Sequence, residues 1–302
     1  MAAPETMSSP GHARVHRDAP RVRHTYPGWA ALLGLALAAA GAGIVWYHGE
    51  ARPRQHALAA LLVGINFLIL GGYLALLALR SAAYRARAAG KRHSSPWLYE
   101  HAWARREADD GTRGRALHAF AAIAAIGFFL APFHLIALSE PDWILWLVIG
   151  LFDVALAIGL GYATYLLLRH LKFGRTRVAF SGFPLLTGST LPLRFHGGRP
   201  LQNRQGMKAE LVCIEEYYET RGSGKDRSQH VVHEALYRDA REFATDASGA
   251  AMLEFQVPAH APGTRFAVKD GERPRYWELE VSAAVPGIDY HGIFLLPVYA
   301  RP

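Results

Sequence analysis

Long apolar blocks dominate the first part of the chain. Four blocks of 22 to 26 residues contain only one Asp, Glu, Lys or Arg between them, Asp153; they are Tyr26–Tyr47, Ala57–Leu79, Ala116–Leu138 and Trp143–Leu168. A hydrocarbon core is crossed by about 20 helical residues, and lipid offers the backbone no hydrogen-bond partners, so such blocks must be helical. The pattern therefore predicts four transmembrane helices, arranged as two hairpins.

After Phe173 the apolar period changes to two. Leu253, Phe255 and Val257 alternate with polar residues, and the same alternation runs through Trp277–Val281. One buried face is typical of β-strands. Further strands are predicted at Thr176–Phe180, Leu191–His196, Ala209–Tyr218, Val231–Tyr237 and Gly292–Tyr299, with the last two strands of the chain hinged at Pro286-Gly287. The predicted fold class is α+β: four transmembrane helices followed by an antiparallel β-sandwich.

The distribution of Lys and Arg predicts the orientation of the helices. Four basic residues precede the first block, two follow it, nine lie between the second and third, none lies between the third and fourth, and four follow the fourth. Because basic loops stay on the cytoplasmic side, both termini are expected in the cytoplasm. We therefore expect a multi-pass protein of the inner (plasma) membrane with a cytoplasmic β-sandwich.

These patterns divide the chain into a leader expected to be disordered, two hairpins, a cytoplasmic connection and a β-domain. The segments are 1–24 (leader), 25–79 (hairpin 1), 80–115 (connection), 116–171 (hairpin 2) and 172–302 (β-sandwich). The first block contains "LALAAAGAG", which resembles a signal-peptide cleavage region. Its apolar character continues to Tyr47, so we expect retention as an anchor, with cleavage as the alternative.

The net charge of +8 does not indicate nucleic-acid binding. Seventeen of the 33 Lys and Arg residues lie in the three predicted cytoplasmic flanks, whereas the part from Val178 onward has 14 basic against 15 acidic residues. The basicity is thus a topology signal that favours the lipid bilayer as a partner, and we expect no nucleic-acid partner. Cys213 is the only cysteine, so an intrachain disulfide is excluded.

The connection contains "SSPWLYEHAWARREADDG". Ser95 as a cap and Pro96 at the first position predict a helix start. Tyr99 and Trp103 would then share one face. We expect this helix to pack against the β-domain, and an interfacial position at the headgroup level is the alternative.

Two polar residues lie deep in the predicted spans. Asn66 lies about 14 Å and Asp153 about 15 Å into their blocks at a 1.5 Å rise per residue. His134, about 6 Å from the outer end of its block, is predicted to be too shallow to meet them. We therefore predict an Asn66–Asp153 contact, which either holds the two hairpins together or serves proton or cation passage. Pro132 removes one backbone bond and frees the Phe128 carbonyl.

No motif indicates catalysis or a metal. In "HVVHE" the histidines His230 and His233 would face opposite sides of a strand, and "GSGK" lacks the remaining residues of a P-loop. A Gly-x-Ser-x-Gly nucleophile motif is absent from the sequence. We expect neither an enzyme nor a metal or other cofactor.

The closing segments resemble a known architecture. Pro258 ends one strand, Trp277 centres the next, and "PGID" (286–289) leads into a final strand at Phe294–Val298. This order resembles the second half of an arrestin-type β-sandwich. Together with "PWLYEHAWARR" and the helical hairpins, residues 96–302 are similar to a family of uncharacterised bacterial integral membrane proteins.

The chain departs from that family's pattern in the connection. There the family pattern has Pro-Trp followed by Trp-Arg-x-Asp-Trp. This chain keeps the Pro-Trp and the last Trp, but it has Tyr99, Glu100 and Ala102 at the other specified positions. The family carries no established activity that could be transferred.

Two functions fit these predictions. The first is a membrane-anchored adaptor or assembly protein whose cytoplasmic sandwich binds a protein partner through an edge strand or exposed loops, with "RGSGKDRSQHVVH" as the most accessible stretch. The second is a small transporter or channel component that uses Asp153 and Asn66. Self-association of the chain is left open.

Overall fold

The structure, a computed structural model, falls into two compact units. The helical unit comprises His24–Gly90 and Thr112–Leu168, and the β-unit comprises Met1–Arg23, Lys91–Gly111 and Arg169–Pro302. The residues that the structure describes are 13–14, 28–48, 54–88, 96–98, 101, 103–139, 142–221, 227–266 and 273–301. Most of the leader therefore lies outside the described residues.

Four long helices form at the four apolar blocks. They are α1 Trp29–His48, α2 Arg54–Ala88, α3 Thr112–Ser139 and α4 Trp143–Phe173. Within the described residues, all four are long and apolar enough to cross a membrane. Helix α3 continues through Pro132 without a break. The predicted number and order of apolar helices are confirmed.

Helices α1 and α2 approach each other closely because glycines line their contact. A Cβ added to Gly34 would lie 2.6 Å from the Ala75 nitrogen, and one added to Gly41 would lie 2.5 Å from the Gly64 carbonyl oxygen. Such spacing excludes any larger side chain, which is the usual reason for small residues between closely packed apolar helices.

The β-unit contains two main antiparallel sheets. Their strands are β1 Ala13–Arg14, β2 Glu107–Asp109, β3 Arg177–Phe180, β4 Leu185–Leu186, β5 Thr190–His196, β6 Met207–Arg221, β7 Ser228–Phe243, β8 Ala250–Gln256, β9 Arg275–Ala283, β10 Tyr290–Leu296 and β11 Val298–Tyr299. One sheet has the order β1-β7-β6-β9-β10 and the other β2-β3-β5-β8, while β4 and β11 form a short parallel pair. The predicted antiparallel β-domain is confirmed.

The core of the sandwich consists of the alternating apolar positions. Trp277, Leu279 and Val281 of β9 are fully buried, and they belong to the same apolar cluster as Phe255 of β8. The indole nitrogen of Trp277 donates to the Pro262 carbonyl at 2.8 Å, so the buried ring keeps a polar partner.

The β9–β10 hairpin turns where the sequence predicts it. Ala283 pairs with Tyr290, and the turn between them contains Pro286 and Gly287. Gly287 has φ +84°, a conformation that glycine adopts without the steric cost of a Cβ. Lys172 at the end of α4 donates to the carbonyls of Pro286 at 2.6 Å and Ile288 at 2.8 Å.

The connection differs from its prediction. Instead of a helix beginning at Pro96, Pro96–Leu98 forms one 3₁₀ turn, and Glu107–Asp109 forms strand β2, which pairs with β3. Tyr99 lies outside the described residues, so its predicted face is not observed. The connection therefore supplies part of the β-sandwich, because its backbone completes an edge of the four-stranded sheet.

Candidate functional site

Asn66 and Asp153 do not form the predicted pair, because each has another partner. Asn66 is 8% exposed, and its side-chain amide donates to the Phe128 carbonyl at 3.3 Å. Phe128 precedes Pro132 by four residues, and proline has no N–H with which to bind that carbonyl. Asn66 therefore satisfies the acceptor that Pro132 leaves open, and it joins α2 to α3.

Asp153 pairs with His134. The two side chains approach to 3.2 Å between His134 Nε2 and Asp153 Oδ2. The other ring nitrogen, Nδ1, lies 3.1 Å from the Leu130 carbonyl oxygen, and the Trp146 ring stands edge-on to the imidazole with ring centroids 6.4 Å apart. Asn66 and Asp153 thus belong to two separate contacts.

The prediction that His134 is too shallow to reach Asp153 is wrong because it used main-chain depth alone. Side chains tilt toward the N-terminus of their helix. Since only residues 140–142 separate α3 from α4, the helices run in opposite directions, and the two side chains tilt toward each other. The contact between His134 Nδ1 and the Leu130 carbonyl, one turn back, shows this tilt.

An aromatic cluster covers part of the five-stranded sheet. Trp103 from the connection packs on Phe266 at a centroid distance of 5.8 Å, and Phe266 stacks on Tyr276 of β9 at 6.2 Å. The Trp103 indole also donates to the Tyr299 hydroxyl at 3.1 Å. The connection was predicted either to pack against the β-domain or to lie at the lipid headgroup level. These contacts favour packing against the β-domain.

A two-stranded arm extends beyond this sheet. Strand β6 pairs with β7 as far as Arg221, whereas its pairing with β9 ends at Glu215. We call residues 217–221 and 228–232 the arm. The five arm residues of β6 extend past the end of its pairing with β9, and they correspond to about 17 Å of ribbon at 3.4 Å per residue. The tip of the predicted contact loop, residues 222–226, lies outside the described residues.

A buried contact between a glutamate and a histidine lies at the base of the arm. Glu216 and His233 stand directly opposite in the β6–β7 register, with 3.2 Å between Glu216 Oε2 and His233 Nε2. Their side chains are only 2% and 4% exposed. In the arm itself Tyr218 is 54% exposed, and the Arg273 guanidinium lies 4.0 Å from the Tyr217 ring centroid.

A basic cavity of about 540 Å³ lies in the same unit, lined by Trp97, His260, Thr264, Arg265, Arg275 and Tyr299 among others. Arg275 Nε lies 3.7 Å from Glu215, the residue at which β6 leaves β9. The buried hydroxyl of Thr264 makes no hydrogen bond within the described part of the chain.

The described residues contain no group of three or more His, Cys, Asp or Glu side chains that could hold a metal ion. The single thiol, Cys213, is fully buried, and burial raises its pKa. A thiol in that state is a poor nucleophile.

Known proteins show only a weak structural similarity to this chain. No protein-family model matches the chain, and no curated protein matches its sequence. Among solved structures, the chain is similar to Spo0M, a sporulation control protein from Bacillus subtilis, with 16% identity over 42% of this chain, 49% of that chain and a TM-score of 0.28. The match spans about half of that protein, and at this TM-score it supports no argument about function.

Proposed function

We propose that the chain is a membrane-anchored adaptor or assembly protein of the bacterial inner membrane, with four transmembrane helices and both termini in the cytoplasm. The exposed surfaces of the helices support insertion. On α4, Leu151, Val154 and Ile158 are 69%, 58% and 69% exposed, although a helix in water would bury such residues. The alternating Lys and Arg counts support the orientation.

The observation that carries the adaptor role is the extension of β6 and β7 beyond β9. A two-stranded ribbon is marginal by itself, and an edge that pairs with no further described strand can accept an additional strand through main-chain hydrogen bonds. The leader already shows this behaviour at the base of the arm, where Ala13 and Arg14 pair with Ala235 and Glu234 of β7. A partner segment lies along the arm in the same way.

Two arginines beside the arm indicate the partner's chemistry. Arg273 and Arg275 share one described carboxylate, Glu215, at 3.1 Å and 3.7 Å. Two guanidinium groups on one carboxylate favour an acidic side chain on the protein partner. No catalytic role and no cofactor are part of this proposal.

The finer classification of the sandwich is also a proposal. The hairpin across Pro286-Gly287 and the buried Trp277 support an arrestin-type domain. They are also the features on which the similarity to the uncharacterised bacterial membrane family rests.

Site-specific photo-crosslinking in the native host tests the adaptor role. A photoreactive phenylalanine analogue replaces Tyr218 in the full chain, and a matched control replaces Met252 on β8, which is 61% exposed. We expect a discrete crosslinked product of defined mass from position 218 and none from position 252. The absence of a product at 218, or the same products from both positions, would contradict the proposal.

Transport is the second candidate function. Asn66 and Asp153, the two polar residues predicted to meet, belong to different contacts. A transport role therefore depends on Asp153 with His134 rather than on the predicted pair. Proton or cation flux into liposomes that Asp153→Asn abolishes would favour this function over the adaptor role.

A further inference from the structure

The His134–Asp153 contact has a defined hydrogen-bonding chemistry. His134 Nδ1 lies 3.1 Å from the Leu130 carbonyl oxygen. A carbonyl oxygen can only accept a hydrogen bond, so Nδ1 must carry a hydrogen. Nε2 lies 3.2 Å from the Asp153 carboxyl group. It is therefore the one ring nitrogen whose protonation can differ.

Two arrangements satisfy this geometry. Either Nε2 carries a hydrogen and donates to a carboxylate, or a protonated carboxyl group donates to a bare Nε2. Both arrangements contain one shared proton, and both leave the pair with no net charge. Removing that proton leaves a negative pair, and adding a second leaves a positive pair.

The surroundings favour the one-proton forms. Trp146 stands against the imidazole, and Leu151, Phe152 and Val154 flank Asp153 along α4. Other titratable side chains described within α2, α3 and α4 do not hydrogen-bond to the pair; they are Tyr73, His118, Tyr162, Tyr165 and the basic groups near the helix ends. An apolar environment penalises net charge, so it favours the neutral pair with one shared proton over either charged form.

The pair lies near the end of α3. His134 precedes Ser139, the end of α3, by five residues, or about 8 Å at 1.5 Å per residue. The side chains of His134 and Asp153 are 36% and 47% exposed outside the helical unit's own packing. The shared proton is therefore not enclosed by the described part of the fold.

We propose that His134 and Asp153 form a binding site for one exchangeable proton in the helical unit. The site goes beyond the adaptor function and depends on it only in placing these helices in a bilayer. The crosslinking experiment at position 218 does not involve the pair, so either proposal can fail without the other.

The test measures whether the two groups share a proton. The full chain is placed in nanodiscs of uncharged phospholipid, and infrared difference spectra follow the protonated-carboxyl C=O band across about pH 5 to about pH 8 and beyond. The variants are Asp153→Asn, His134→Gln and, as a matched control, Asp142→Asn, whose native carboxylate binds the Ile144 N–H at 2.9 Å.

We expect Asp153→Asn to delete one component of the band, whereas Asp142→Asn retains it. We expect His134→Gln to change the frequency of that component, because the carboxyl group loses the imidazole with which it shares the proton. Spectra that Asp153→Asn leaves unchanged, or a component frequency that His134→Gln leaves unchanged, would overturn the proposal.

Discussion

The side-chain amide of Asn66 donates to the main-chain carbonyl of Phe128 at 3.3 Å. That carbonyl would bind the N–H of residue 132 in a regular helix, and residue 132 is a proline. An unsatisfied polar group in an apolar environment is costly. The hydrogen bond therefore satisfies both the Phe128 carbonyl on α3, which lacks its helical partner, and the buried Asn66 amide on α2. This bond gives α2 and α3 a fixed register.

Replacing Asn66 tests the strength of that bond. Asn66→Ala should lower the free energy of unfolding by about 1 kcal/mol, the usual range for polar contacts between apolar helices. Unfolding of the full chain in mixed micelles with increasing denaturing detergent, followed by circular dichroism, measures the change.

Pro132→Ala provides the control. Alanine restores an N–H for the Phe128 carbonyl, so Asn66→Ala should cost less in the Pro132→Ala background than in the native chain. Equal costs in the two backgrounds would show that Asn66 stabilises the helices by another route.

The sequence predicted long elements well because their patterns are self-contained. Four apolar blocks and seven alternating segments each mark their own buried face, so α1–α4 and the seven long strands were found. Strands β1, β2 and β4 have only two or three residues. These short strands form because a neighbouring strand offers free hydrogen-bonding groups. Their own residues are too few to show an alternating pattern that would predict them.

The site was harder to predict for a different reason. The freed Phe128 carbonyl was visible from Pro132, yet its partner depends on which helices pack together. The His134–Asp153 contact depends on side-chain direction as well as main-chain depth. The predicted contact loop follows the arm in sequence, and its tip, residues 222–226, lies outside the described residues. The arm itself arises because β9 begins at Arg275 opposite Glu215, which is a tertiary relationship.

The Trp103–Tyr299 bond links the connection to the sandwich. Trp103→Ala removes this bond and the packing on Phe266, so we expect a loss of about 2 kcal/mol in the free energy of unfolding of the β-unit. Trp103→Phe keeps an aromatic ring without the indole donor and should cost about 1 kcal/mol.

Pulse proteolysis of the full chain in increasing urea measures both Trp103 variants. Met252→Ala is the control, because an exposed substitution on β8 should change stability by less than about 0.5 kcal/mol. Wild-type stability in Trp103→Ala would mean that the connection does not anchor to the sandwich.

Asp246 should make the β-unit sensitive to acid. Its carboxylate accepts hydrogen bonds from the Ser248 hydroxyl at 2.6 Å and from the N–H groups of Ala250 and Ser248 at 2.9 Å and 2.8 Å. These bonds lower the pKa of Asp246 below its ordinary value of 3.8. The stabilisation is therefore fully present above the unfolded-state value and is lost as the pH falls through the folded-state value.

Thermal unfolding of the wild type and Asp246→Asn at about pH 6 and about pH 2 tests this linkage. The variant should lose less stability than the wild type between the two conditions, because its side chain cannot be protonated there. Glu254→Gln, an exposed change on β8, serves as the control. An identical pH dependence in Asp246→Asn and the wild type would contradict the prediction.

The Glu216–His233 pair should hold the arm to the sheet. Both side chains are almost fully buried, and a buried polar group that loses its partner costs about 1 to 3 kcal/mol. His233→Ala should therefore increase amide hydrogen exchange in residues 217–221 and 228–232, while β8 keeps its protection. Replacing both residues with leucine should restore most of the protection, because an apolar pair leaves no buried polar group unsatisfied. Increased exchange throughout both sheets in His233→Ala would instead assign the pair to the global stability of the sandwich. In that case the arm would not be a separate local unit that a partner strand can order.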